Sequence, residues 1–196
     1  MGSTLNPDGF IHHSGNIREL LFYKKSVILY DLTYHFCSRF LTGSKDRTVD
    51  QMIQAARSGK QNIVEGLSDG STSTEMAIKL LNVARSSLAE LQEDFQDYLR
   101  TRGLKQWNKE HPRYEKMQEY CYQHHELEDY QVFFDRWDEE TLSNTALTLI
   151  HQADKGMTTY LAKMERDFLN HGGIREAMTV ARKKAKDIRR TRGLKV

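Results

Sequence analysis

Two long stretches in which apolar residues recur at alternating steps of four and three do most to limit what this chain can fold into. The first carries Ala77, Leu81, Ala84, Leu88, Leu91, Phe95 and Tyr98; the second carries Leu142, Ala146, Leu149, Ala153, Gly156 and Tyr160, with Met164 and Phe168 extending it. That alternation is the seam of a helix packed lengthwise against others. Hydroxyls at Ser71, Thr72, Ser73 and Thr74, followed by Glu75, predict a start near Thr72, and Gly103 predicts the stop. At ~1.5 Å per residue the helix over 72–102 is roughly 45 Å long. Asp138 is the predicted N-cap of the second long helix, which runs to about Asn170 before Gly172 and Gly173.

Two further helices complete the pattern. Leu21, Ile28, Leu32, Phe36 and Phe40 predict one over 17–41, with Leu20, Val27, Tyr34 and Cys37 as a flanking row and Gly43 beyond its end. Val49, Met52, Ile53, Ala56 and Ile63 predict another over 47–65, with Gly66 as its stop. Gly59 lies inside it. An interior glycine costs roughly 1 kcal/mol against alanine, so it predicts close approach of another helix. Residues 107–125 read as a connecting insert with a short helix after Pro112, bearing Tyr114, Met117, Tyr120 and Cys121 on its apolar side. The expected fold is all-α: a long up-and-down four-helix bundle over 17–171 with a short helical insert, a flexible lead-in over 1–16 and an appended basic C-terminal helix over 172–196.

Composition agrees. Only Pro7 and Pro112 are prolines, and 29% of residues are charged, which suits helices rather than a turn-rich β protein. Apolar runs such as Val27-Ile28-Leu29-Tyr30 fall far short of the ~20 residues that span a bilayer. Residues 1–16 lack a basic stretch leading into an apolar one, so a cytoplasmic location and no membrane partner are expected. Cys37 and Cys121 are distant and outside any CxxC spacing, which predicts buried thiols. The formal charge of +2 conceals an asymmetry: from Arg175 to Val196 nine basic residues face only Glu176 and Asp187, which leaves −5 for the rest. Ile174, Met178, Ala181, Ala185 and Ile188 form a thin apolar stripe along that basic terminus.

The motifs of catalytic and metal centres do not assemble. None of the eight histidines follows a glutamate by three residues, and HExxH is absent, so the inward Glu-x-x-His pairs of a di-iron bundle are not formed. Gly59-Lys60 lacks the GxxxxGK[ST] frame, and neither GxSxG nor GxGxxG occurs. No cofactor and no enzymatic activity are expected. Ser58, Asn62 and Glu65 fall on one helical face, and Ser87 and Glu90 pair on the next helix. Such groups either form a buried polar layer that fixes helix register or face a ligand.

The run Gln51-Met52-Ile53-Gln54-Ala55-Ala56-Arg57-Ser58-Gly59-Lys60-Gln61-Asn62-Ile63-Val64-Glu65-Gly66, with Ala84-Arg85-Ser86-Ser87-Leu88-Ala89-Glu90-Leu91, resembles the four-helix-bundle family encoded by intervening sequences in bacterial 23S ribosomal RNA genes, most closely a longer branch with a C-terminal extension. The resemblance covers about Leu20 to Gly103. It implies the bundle and leaves function largely open. A related bundle, the accessory variability protein of diversity-generating retroelements, is a homopentamer that binds nucleic acid and a reverse transcriptase, which implies a homo-oligomer, a pentamer on that pattern, with a basic surface. This chain has Ile53 and Gln54 where the family commonly has two arginines, and Gly59-Lys60 where it has Ile-Pro. Charge is thereby removed from that helix, and Arg182, Lys183, Lys184, Lys186, Arg189 and Arg190 become the candidate contacts to RNA or DNA. The alternative is a protein-interaction module that pairs through Ile174, Met178 and Ile188; an enzyme with an unrecognised site ranks third.

Overall fold

The computed structural model describes residues 16–41, 47–68 and 73–171, with 179, 182–183 and 186–188. It contains helices α1 (Leu21–Phe40), α2 (Arg47–Leu67), α3 (Thr74–Thr101), α4 (Tyr114–Gln123), α5 (Leu127–Gln131) and α6 (Glu139–His171), after a 3-10 turn at Ile17–Glu19. No strand occurs among the described residues.

Helices α1, α2, α3 and α6 form a closed ring in that order. Each neighbour runs antiparallel to the last: Gly59 meets Leu88 while Gly66 meets Leu80, Arg85 pairs with Asp154 while Tyr98 donates to Glu139, and Phe22 contacts Tyr160 while Arg39 donates to the Trp137 carbonyl at 3.0 Å. The result is an up-and-down four-helix bundle. All seven seam residues from Ala77 to Tyr98 are buried, and one core spans the ring and the insert.

Local chemistry sets the ends. Ser73 Oγ accepts from the Met76 N–H at 3.1 Å; Thr72 lies outside the described residues. Asp138 Oδ1 accepts from the Thr141 N–H at 2.8 Å and caps α6. Gly103 ends α3 at φ 67°, and the Leu104 N–H turns back to the Leu99 carbonyl at 2.9 Å.

Four expectations are corrected. Residues 17–20 do not begin α1: Asn16 caps a separate turn, and extended Leu20 breaks it from the helix. Leu21 is consequently 51% exposed, and the buried stripe runs through Phe22, Lys25, Leu29, Leu32 and Phe36. Tyr34, expected in the flanking row, points to solvent. Gly66 does not stop α2; a Cβ there would lie 3.2 Å from Leu80 Cβ and 3.3 Å from the Ala77 carbonyl oxygen, so its role is close approach, like that of Gly59, whose Cβ would meet Leu88 Cδ2 at 2.7 Å. The insert also runs past residue 125, because Glu126 and Asp129 form a reciprocal cap that starts α5.

One buried cation interrupts the α1 stripe. Lys25 is 4% exposed and donates from Nζ to the Cys121 carbonyl at 2.6 Å, satisfying an acceptor in the last turn of α4. Burial pulls its ammonium below the ordinary lysine value, against an opposing pull from Cys121.

Candidate functional site

The first turns of α6 hold the insert through two polar side chains. Asn144, 4% exposed, accepts the Trp107 N–H at 2.7 Å and donates to the carbonyls of Lys105 at 2.9 Å and Glu140 at 2.8 Å. Glu140 accepts the Lys105 N–H at 3.0 Å and the Trp107 indole N–H at 2.9 Å. Burial pulls the Glu140 carboxyl upward, but these two hydrogen bonds outweigh it and hold the group below its ordinary value of 4.5. A carboxylate depressed in this way stabilises the fold above its ordinary value, and that contribution is lost as pH falls through the lower folded value. Acidification below about pH 4.5 is therefore expected to loosen Trp107 before the bundle melts. Tryptophan emission should redden as pH falls in the native protein and lose that acid step in Glu140→Gln.

The pinned Trp107 and the aromatics of the later insert form an aromatic wall. Trp107 stacks on His111 with centroids 4.6 Å apart and planes 9° apart, and Phe133 stacks on Trp137 at 4.5 Å and 6°. Tyr120 sets its ring edge-on to Tyr130, Phe133 and Trp137 at 5.6, 6.0 and 6.3 Å. Between this wall and the start of α6 lies a cleft of about 480 Å³, lined by Trp107, Tyr120 and Trp137 and by Arg113, Lys116 and Arg136. All three cations are exposed, and none belongs to an ion pair among the described residues. The carboxylate at the rim, Asp138, is occupied as the α6 cap. Burial pulls Asp138 upward, but hydrogen bonds from the Thr141 side chain and backbone, with Arg113 nearby, hold it below its ordinary value.

The residues singled out from the sequence fall elsewhere. Arg182, Lys183 and Lys186 are helical and exposed; Lys184, Arg189 and Arg190 lie outside the described residues. In the expected polar layer, Ser58 Oγ and Ser87 Oγ meet at 2.9 Å, and Asn62 donates to the Ser58 carbonyl and hydroxyl at 2.8 and 3.2 Å, so three members come together between α2 and α3. Glu65 and Glu90 do not join them. Both are exposed, because at their positions the helix face has turned to solvent and a carboxylate is better hydrated there. The thiols are buried, and burial foremost pushes Cys37 up to about 12, with Asp94 adding to it, and Cys121 up to about 11; neither is a ready nucleophile at neutral pH.

Compared with protein-family models, curated proteins and solved structures, the chain matches none of them. Among the described residues, no group of three or more His, Cys, Asp or Glu is placed to hold a metal, and no helix is long and apolar enough to cross a membrane. The cleft escaped the sequence reading because Trp107 and Trp137 are thirty positions apart in stretches with no helical period. The only local signal was the density of aromatic and basic residues over 107–137.

Proposed function

We propose that the protein is a non-enzymatic, homo-oligomeric helical bundle of the cytoplasm that binds RNA or DNA through basic surface residues. The observation that carries this reading is the exposure of Arg182, Lys183 and Lys186, which belong to a terminal sequence in which nine basic residues stand against two acidic ones. Phosphate contact needs only cations at reachable spacing, so binding is sequence-tolerant and salt-dependent. Kinship with the family of the 23S intervening sequences, and a pentameric assembly on the pattern of the accessory variability protein, belong to the same reading and rest on the motif residues of α2 and α3.

Replacing Arg182, Lys183 and Lys186 together with alanine is expected to weaken single-strand binding and to flatten the dependence of log K on log salt by about 2, since each lost phosphate contact removes ~0.7 from the slope. Fluorescence anisotropy between low and moderate salt measures both. Absence of binding by the full chain at low salt refutes the proposal.

The second reading, a protein-interaction module built on the terminal stripe, is favoured by Ile188, which is 54% exposed. Deletion of residues 174–196 separates the two. Lost nucleic-acid binding at an unchanged number of subunits in sedimentation supports the first, whereas fewer subunits support the second.

A further inference from the structure

We infer that the cleft between the insert and the start of α6 is a binding site for a single nucleotide unit, a nucleobase with its 5′-phosphate. The site is separate from the terminal helix and does not depend on it. Its volume of about 480 Å³ is in the range of small-ligand pockets, and its lining divides into the two chemistries that such a ligand carries. Trp137 and Tyr120, partly exposed at the cleft, offer ring surface for stacking. Both are held by protein aromatic neighbours: Trp137 lies parallel to Phe133, and Tyr120 lies parallel to His124 at 4.0 Å and 15°. The platform is therefore set before a ligand arrives, and little ordering entropy remains to be lost on binding.

Charge selects phosphate over a simple aromatic acid. Arg113, Lys116 and Arg136 line the same cleft without ion-pair partners among the described residues, and only Asp138 opposes them there. Asp138 Oδ1 is engaged by the Thr141 N–H. Three cations against one committed carboxylate suit a dianionic phosphate, and the Arg113 guanidinium, 5.8 Å from the Trp107 ring centroid, joins the phosphate side to the aromatic side. A neutral base without phosphate leaves the cations unused. Inorganic phosphate leaves the rings unused.

Trp107 and Trp137 are the chain's two tryptophans, and both line the cleft, so intrinsic emission reports on this site. The full chain is titrated at low salt with AMP, adenosine and inorganic phosphate, using emission for location and calorimetry for affinity. The expected result is a saturable change with AMP in the sub-millimolar range, with adenosine and phosphate each at least about tenfold weaker. Lys116→Gln with Arg136→Gln, both at exposed positions, is expected to weaken AMP by at least about tenfold at unchanged melting temperature. A strand-borne and a free ligand share this chemistry, and a 5′-phosphorylated adenylate pentamer distinguishes them. Binding clearly tighter than AMP assigns the site to a strand end, and equal or weaker binding assigns it to the free nucleotide. No saturable response to AMP up to about 5 mM, or AMP affinity unchanged in the double variant, overturns the inference.

Discussion

Truncating Phe36 to alanine is expected to lower the stability of the bundle by about 4 kcal/mol, near the upper end of single-residue effects. The ring is fully buried on α1 and contacts three others: Phe40 at 5.2 Å, and Phe95 and Tyr98 of α3 at 5.1 and 4.7 Å, the last two edge-on. Alanine removes the buried area, leaves a cavity that two helices cannot readily close, and forfeits the edge-to-face contacts. Phe36→Leu keeps most of the volume and should cost about 1.5 kcal/mol. Urea unfolding of both variants, with slopes compared to the parent chain, gives the numbers. A loss below about 1 kcal/mol for the alanine variant would be incompatible with a packed ring cluster between α1 and α3.

Asn144→Leu should cost about 3 kcal/mol by a different route. Leucine fills the space but leaves the Trp107 N–H and the Lys105 carbonyl, which Asn144 now serves at 2.7 and 2.9 Å, without partners. The buried Trp107 amide left unsatisfied costs about 1–3 kcal/mol, and the Lys105 carbonyl, on an exposed residue, adds less because water can reach it. Asn144→Asp retains the acceptor for Trp107 and loses the donor to Lys105, so its loss should be smaller. Hydrogen exchange locates the damage: the Trp107 amide should lose protection well before those of α2 and α3. If all amides lost protection together, the insert would be part of the bundle's cooperative unit rather than pinned to it.

The contrast between these residues shows what was legible in the sequence. The seam on α3 was readable because apolar side chains repeated with the helical period, and every seam residue is buried. Gly59 was readable for a related reason, since a costly glycine inside a strong helix pointed to close approach, and Leu88 supplies it. Gly66 was misread because glycine serves both as a stop and as a contact. Lys25 was invisible because a charged residue on an apolar stripe reads as facing outward, whereas here the acceptor that justifies its burial comes from Cys121, ninety-six positions away. The cleft was missed on the same grounds. Trp107 is set in its wall by Asn144 and Glu140 gripping backbone over 105–107, and no periodicity encodes such a long-range pairing. In the polar layer, the short side chains of Ser58, Asn62 and Ser87 pair across the helices, while the longer Glu65 and Glu90 reach water.

The last turns of α6 govern how the two halves of the molecule's charge are felt. Met164 is the final α6 side chain packed on the core, yet the helix continues to His171, about 10 Å further at 1.5 Å per residue. The Debye length at physiological ionic strength is about 8 Å. The net negative charge of the body is therefore largely screened where α6 ends, and a polyanion approaching that end would feel little repulsion from the acidic bundle. Removing two turns between Met164 and His171 would bring the end of α6 within one Debye length of the core, so that overhang acts as an ionic spacer.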